Sequence, residues 1–238
     1  MSTLSFRSCV VVLGASLISA CATVTPMQTA SVVDLHTFRI GGQVSTAGFC
    51  GDPAGGGVGL LRCTEYPDGI PLPELRANGR VGIARGADVG VSVLGQGQLF
   101  APERPFTLGL TLDAKKELLR LPMVNGPTHI FSAGLLFGAN TAFRSGLQAW
   151  GQVDWGVPLF YGLQFERLEV VLGATVSRRE VDGPTPSPDL TLPRVTFSLG
   201  LFRRAPAGLA VQLSYVTDPA RFLRGAVQLQ VGVFWDVR

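Results

Sequence analysis

The sequence predicts an all-β fold, a closed antiparallel up-and-down transmembrane β-barrel of about ten strands. Three observations carry that expectation. Apolar residues recur at every second position over long stretches, a period that separates two faces in a strand and scrambles them in a helix. Mean hydropathy is positive at +0.32, with 46% apolar and 16% charged residues. Yet beyond the first twenty residues no run of about 18 apolar residues exists to span a bilayer as a helix. The joins between alternating stretches are short and long by turns, as in a meander with tight turns at one end and loops at the other.

Residues 1–20 precede the alternation. Their only charge is Arg7, an apolar run extends from Cys9 to Ile18, and small residues follow before Cys21. This is the layout of an exported leader rather than of a folded helix. Its removal takes away one Arg and leaves Cys21, Cys50 and Cys63. The domain organisation expected is therefore a lipoprotein signal peptide over 1–20, a tether over 21–34 and a barrel over 35–238.

The barrel strands are placed near 36–46, 75–85, 87–98, 106–119, 128–140, 147–165, 167–178, 193–204 and 207–217, with a last one through Val227 to Val237. In the 147–165 strand Leu147, Ala149, Val153, Trp155, Val157, Leu159, Tyr161, Leu163 and Phe165 share one face. Gln148, Gln152, Asp154, Gly162 and Gln164 share the other. The last strand repeats this, with Val227, Leu229, Val231, Val233, Trp235 and Val237 set against Gln228, Gln230, Gly232 and Asp236. Tight joins fall around Gly86, Asn125 to Gly126, Glu166 and Pro206 to Gly208. Both ends of the barrel then lie at the tight-turn end.

The longest join, 47–74, holds Cys50 and Cys63 on either side of a glycine-rich stretch. In an oxidising exported compartment this pair is expected to form a disulfide, worth about 3 kcal/mol for a loop of that size. A zinc site lacks support, because no CxxC pair is present and the two histidines, His36 and His129, are far apart in sequence. No cofactor or metal is expected.

The mixed face carries Arg39, Arg76, Arg80, Asp88, Asp113, Lys115, Glu117, Asp154, Glu169, Arg194 and Asp236 among many glycines. Such charges neutralise one another only where the face curves inward, so a lumenal charge network of these residues is expected. A wall of about ten strands is only slightly wider than the eight-stranded kind whose interior side chains fill, which points to a plugged or very narrow lumen. The formal charge of +3 is far from the dense basic surface that nucleic acid requires.

The tetrad Ile18, Ser19, Ala20 and Cys21 resembles a bacterial lipobox, which implies lipidation and acylation of Cys21 after cleavage. The alternating chain from about residue 35 to 238 resembles the small outer-membrane β-barrel proteins in architecture, departing from them in ending Trp235, Asp236, Val237, Arg238 rather than on an aromatic. What the resemblance implies is an outer-membrane barrel, lipid-anchored at Cys21 in the inner leaflet, whose partners are outer-membrane lipids and the export, lipidation and barrel-assembly machineries. Lipid A deacylase barrels are similar in size, but their His-x-Ser spacing is absent: His129 and Ser132 fall on opposite faces of one strand. No catalytic role is expected, and His129 reads as an interfacial rim residue. The function expected is structural or in surface interaction. A narrow channel for small polar solutes and a soluble, lipid-tethered barrel around an apolar ligand are the alternatives.

Overall fold

A strand leaves amide and carbonyl groups unpaired along both edges, and a meander satisfies them all only by returning its last strand to its first. The chain does this. The computed structural model describes residues 26–50, 63–64, 73–96, 106–144, 147–182, 193–203, 207–217 and 225–237. Their strands are β1 (Phe38–Cys50), β2 (Cys63–Thr64), β3 (Pro73–Ala84), β4 (Ala87–Gln96), β5 (Phe106–Leu121), β6 (Thr128–Arg144), β7 (Leu147–Gln164), β8 (Leu168–Asp182), β9 (Pro193–Arg203), β10 (Ala207–Thr217) and β11 (Gly225–Val237). Neighbours in sequence pair antiparallel all the way round. β1 then meets β11 over its whole length, from Phe38 opposite Val237 to Cys50 opposite Gly225. Ten strands form the closed wall, and the two-residue β2 pairs with the top of β1, setting Cys63 opposite Cys50.

Every expected wall strand is present, and several run further than the alternation does. β1 continues to Cys50, β6 to Arg144 and β8 to Asp182, where the backbones stay paired with Gly225, Leu147 and Gly151 respectively. Bulges interrupt the register between Gly82 and Ala84, Glu117 and Leu119, and Ala142 and Arg144. At the second of these Leu118 and Leu119 both face outward and exposed, which breaks the two-residue period locally. At the tight β3–β4 turn Gly86 takes a φ of 72°, a conformation that costs glycine nothing.

The outer surface is apolar all the way round. Val44, Val91, Leu110, Leu135, Trp155, Leu172, Leu199, Leu213, Val231 and Trp235 are among the residues that lie exposed on it. Each wall strand has at least 10 residues, the length needed to cross a hydrocarbon layer when tilted. No described helix is long and apolar enough to cross a membrane.

Candidate functional site: a strap in the barrel lumen

The described chain begins inside the wall, where the sequence suggested a tether. Residues 26–34 run through the lower lumen and bend at Ala30 and Ser31, with those two residues fully buried and Gln28, Thr29 and Val33 nearly so. We call this segment the strap. Thr29, Val32 and Val33 are β-branched and favour extended backbone. A tight turn returns the chain to the wall. The amide of Thr37 donates to the carbonyl of Asp34 at 3.0 Å, and His36 sits at φ 60°, the third position of a turn that requires a positive φ. Gly82 locks the turn by exchanging backbone hydrogen bonds of 3.2 Å with His36 and Thr37. A Cβ on Gly82 would strike the carbonyl of Asp34.

Direction follows from the neighbours. Asp34 lies against Gly82 near the tight-turn end, whereas the amide of Met27 donates to Gln43 Oε1 at 3.3 Å and its methyl group approaches Gly232, well up the wall. Phe38 and Val237 stand at the tight-turn end, as expected. The Pro26 end of the strap faces the long-loop mouth instead.

Three buried ions hold the strap by its main chain. Lys115 Nζ donates to the carbonyl oxygens of Thr29 at 2.7 Å and Ser31 at 2.9 Å. The Glu169 carboxylate accepts from the Ser31 amide at 2.9 Å and from its hydroxyl at 2.6 Å. Asp88 Oδ2 accepts from the Val33 amide at 2.8 Å. The other oxygen of Asp88 pairs with Arg80, whose guanidinium also pairs with Asp113. At the tight-turn end Arg39 donates to Thr29 Oγ1 at 3.2 Å, pairs with Asp236 at 2.6 Å and lies 4.9 Å from the centre of the Phe234 ring.

The rest of the strap packs on a lumenal apolar cluster that alternation alone does not reveal. Ile130, Phe160, Val171, Phe202, Ala210 and Phe234 face inward together, with Ala30 buried among them and Met27 packed against them. Ala30 fits because Gly162 faces it; a Cβ on that glycine would come within 2.6 Å of Ala30 Cβ. Above the strap the lumen is filled by neutral polar groups and local pairs. Gln228 donates to Ser45 at 2.8 Å, Gln230 to Gln228 at 3.1 Å, Gln212 to Ser214 at 3.0 Å and Asn140 to Asp154 at 3.2 Å. Arg76 pairs with Glu74 at 3.0 Å. Between strap and wall lies a cavity of about 50 Å³, lined in part by Gln28, Gln43, Asn78 and Ser92. That is room for a few waters.

The eleven charged residues expected to form one lumenal network thus divide. Arg80, Asp88, Asp113, Lys115 and Glu169 converge on the strap, Arg39 and Asp236 pair at the tight-turn end, and Arg76 and Asp154 sit in the upper lumen. Glu117 belongs to the rim, where it pairs with the half-exposed Arg120 at 2.7 Å. The side chain of Arg194 lies outside the described residues, as do Cys21, residues 1–20 and the glycine-rich stretch. Of Cys50 and Cys63 the backbone register alone is described. Glu74, which neutralises Arg76, and the strap itself are the parts that sequence reasoning missed. Glu74 was legible, since it shares a lumenal parity with Arg76 two residues on. His129 lies on the outer side near the tight turns, its Nδ1 2.7 Å from the Tyr161 hydroxyl, whereas Ser132 is buried in the lumen.

No protein-family model and no curated protein matches the chain. Solved structures similar to it include a bacterial surface protein and two outer-membrane proteins. Neisserial surface protein A is 10% identical with a TM-score of 0.38, over 83% of this chain and 96% of that one. The outer membrane protease OmpT from Escherichia coli is 9% identical with a TM-score of 0.39, over 88% and 100%. An outer membrane channel from Pseudomonas putida F1 is 11% identical with a TM-score of 0.43, over 90% and 100%.

Proposed function

We propose that this protein is an outer-membrane β-barrel, lipid-anchored at Cys21, sealed by its own strap, non-catalytic, and serving a structural or surface-interaction role through its long loops. One observation carries the reading: a closed wall that is apolar on its entire outside encloses a lumen filled by the strap and by paired polar side chains. An apolar belt of this kind suits lipid rather than water, and a lumen filled in this way suits a barrier rather than a pore. His129 and Ser132 on opposite sides of the wall favour the non-catalytic reading. Purified protein in planar bilayers should stay electrically silent. Steady conductance would replace this reading by the narrow channel. Cys21→Ser should remain in the membrane after carbonate extraction, and its release would replace insertion by mere tethering.

A further inference from the structure

The wall groups around the strap read its main chain. Lys115 takes the carbonyls of Thr29 and Ser31, Glu169 the amide of Ser31, and Asp88 the amide of Val33. These contacts fall on Thr29, Ser31 and Val33, at and on either side of the bend at Ala30 and Ser31. Here side chains of a wall, rather than a neighbouring strand, supply the partners. Among the described residues, Glu169 accepts hydrogen bonds from Ser31 alone, although it is fully buried. A buried carboxylate without donors is unfavourable, and the Ser31 amide and hydroxyl supply the donors here. Ala30 is fully buried in the lumenal cluster, and a Cβ on Gly162 would come within 2.6 Å of its methyl group.

We propose that the lower lumen is a binding site for a peptide that bends at a small residue followed by serine. Residues 27–33 are its resident occupant, and the same peptide supplied in trans takes the site once the attached strap is unseated. The inference rests on the closed-lumen reading above. Covalent attachment holds the strap at an effective concentration in the millimolar range, so the parent chain is self-occupied.

The full-length Ser31→Pro chain tests this, since proline removes the amide that Glu169 binds. The probe is a fluorescent synthetic peptide of residues 26–34, followed by anisotropy in detergent, beside a second peptide with tryptophan in place of Ala30. Ser31→Pro should bind the first peptide at least about tenfold more tightly than the parent chain does, and also about tenfold more tightly than it binds the tryptophan peptide. Adding Glu169→Gln should remove most of that gain. Equal binding of the two peptides, or no binding by a Ser31→Pro chain with native heat-modifiable mobility, overturns the proposal while leaving the membrane reading intact. Ala30→Trp provides a second unseated chain. If neither variant folds, the strap is an obligatory part of the barrel rather than a ligand, and the proposal fails.

Discussion

Arg80 is the cation on which the lower lumen depends most. It neutralises both Asp88 and Asp113, and all three are largely shielded from water, with Arg80 only 11% exposed. Removing its guanidinium leaves Asp113 without its ion-pair partner and Asp88 with Lys115 at 3.8 Å, a loss of about 3 to 5 kcal/mol. Glu117 offers the contrast, because its partner Arg120 is 43% exposed at the rim. Water screens that pair, and Glu117→Ala should cost about 1 kcal/mol or less. Unfolding in detergent monitored by tryptophan fluorescence should rank the two variants in that order, and equal losses would contradict the division between lumen and rim. At His36 the backbone, not the side chain, sets the effect. Its φ of 60° strains an L-residue by about 1 to 2 kcal/mol, part of which returns as unfolded-state entropy when glycine replaces it. His36→Gly should therefore raise stability by up to about 1 kcal/mol, and His36→Val should lower it.

In β8 two neighbouring residues separate the faces of the wall. Leu172 is 53% exposed on the outside while Val171 beside it is 2% exposed in the lumen. An arginine facing hydrocarbon at the middle of a barrel costs about 2 to 4 kcal/mol. Leu172→Arg should thus abolish heat-modifiable gel mobility in membranes, whereas Leu172→Phe should retain it. Parental behaviour of Leu172→Arg would place that face in water and favour a soluble barrel. At the upper end of β1 the short β2 brings the backbones of Cys50 and Cys63 opposite each other. Directly paired residues of an antiparallel ladder have Cα atoms about 4.5 to 5.5 Å apart, within the range a disulfide spans. Mass spectrometry of non-reduced peptides should find the two joined, and reduction should loosen the 47–74 loop without opening the wall. Free thiols at both positions would exclude the bond.

At the scale of the whole molecule, the two-residue period determined the wall by itself. Alternation decides which side chains face in and out, and ten alternating stretches with alternating joins admit a closed meander. That both ends of the barrel lie at the tight-turn end follows from that, as does the inward placing of Arg80, Asp88, Asp113, Lys115 and Glu169. Which of those ions meet was decided by the tertiary structure, because pairing depends on stagger around the wall, and parity carries no information on stagger. The same limit hid the lumenal cluster of Ile130, Phe160, Phe202 and Phe234, scattered over four strands that only closure brings together. The strap lies furthest beyond sequence reasoning. Residues 26–34 are short, mixed in polarity and unlike the wall, so nothing local separates a tether in solvent from a segment in the lumen. Closure of ten strands leaves an axial space that wall side chains alone do not fill, and it is that space, with Glu169, Lys115 and Asp88 lining it, that gives the segment its place.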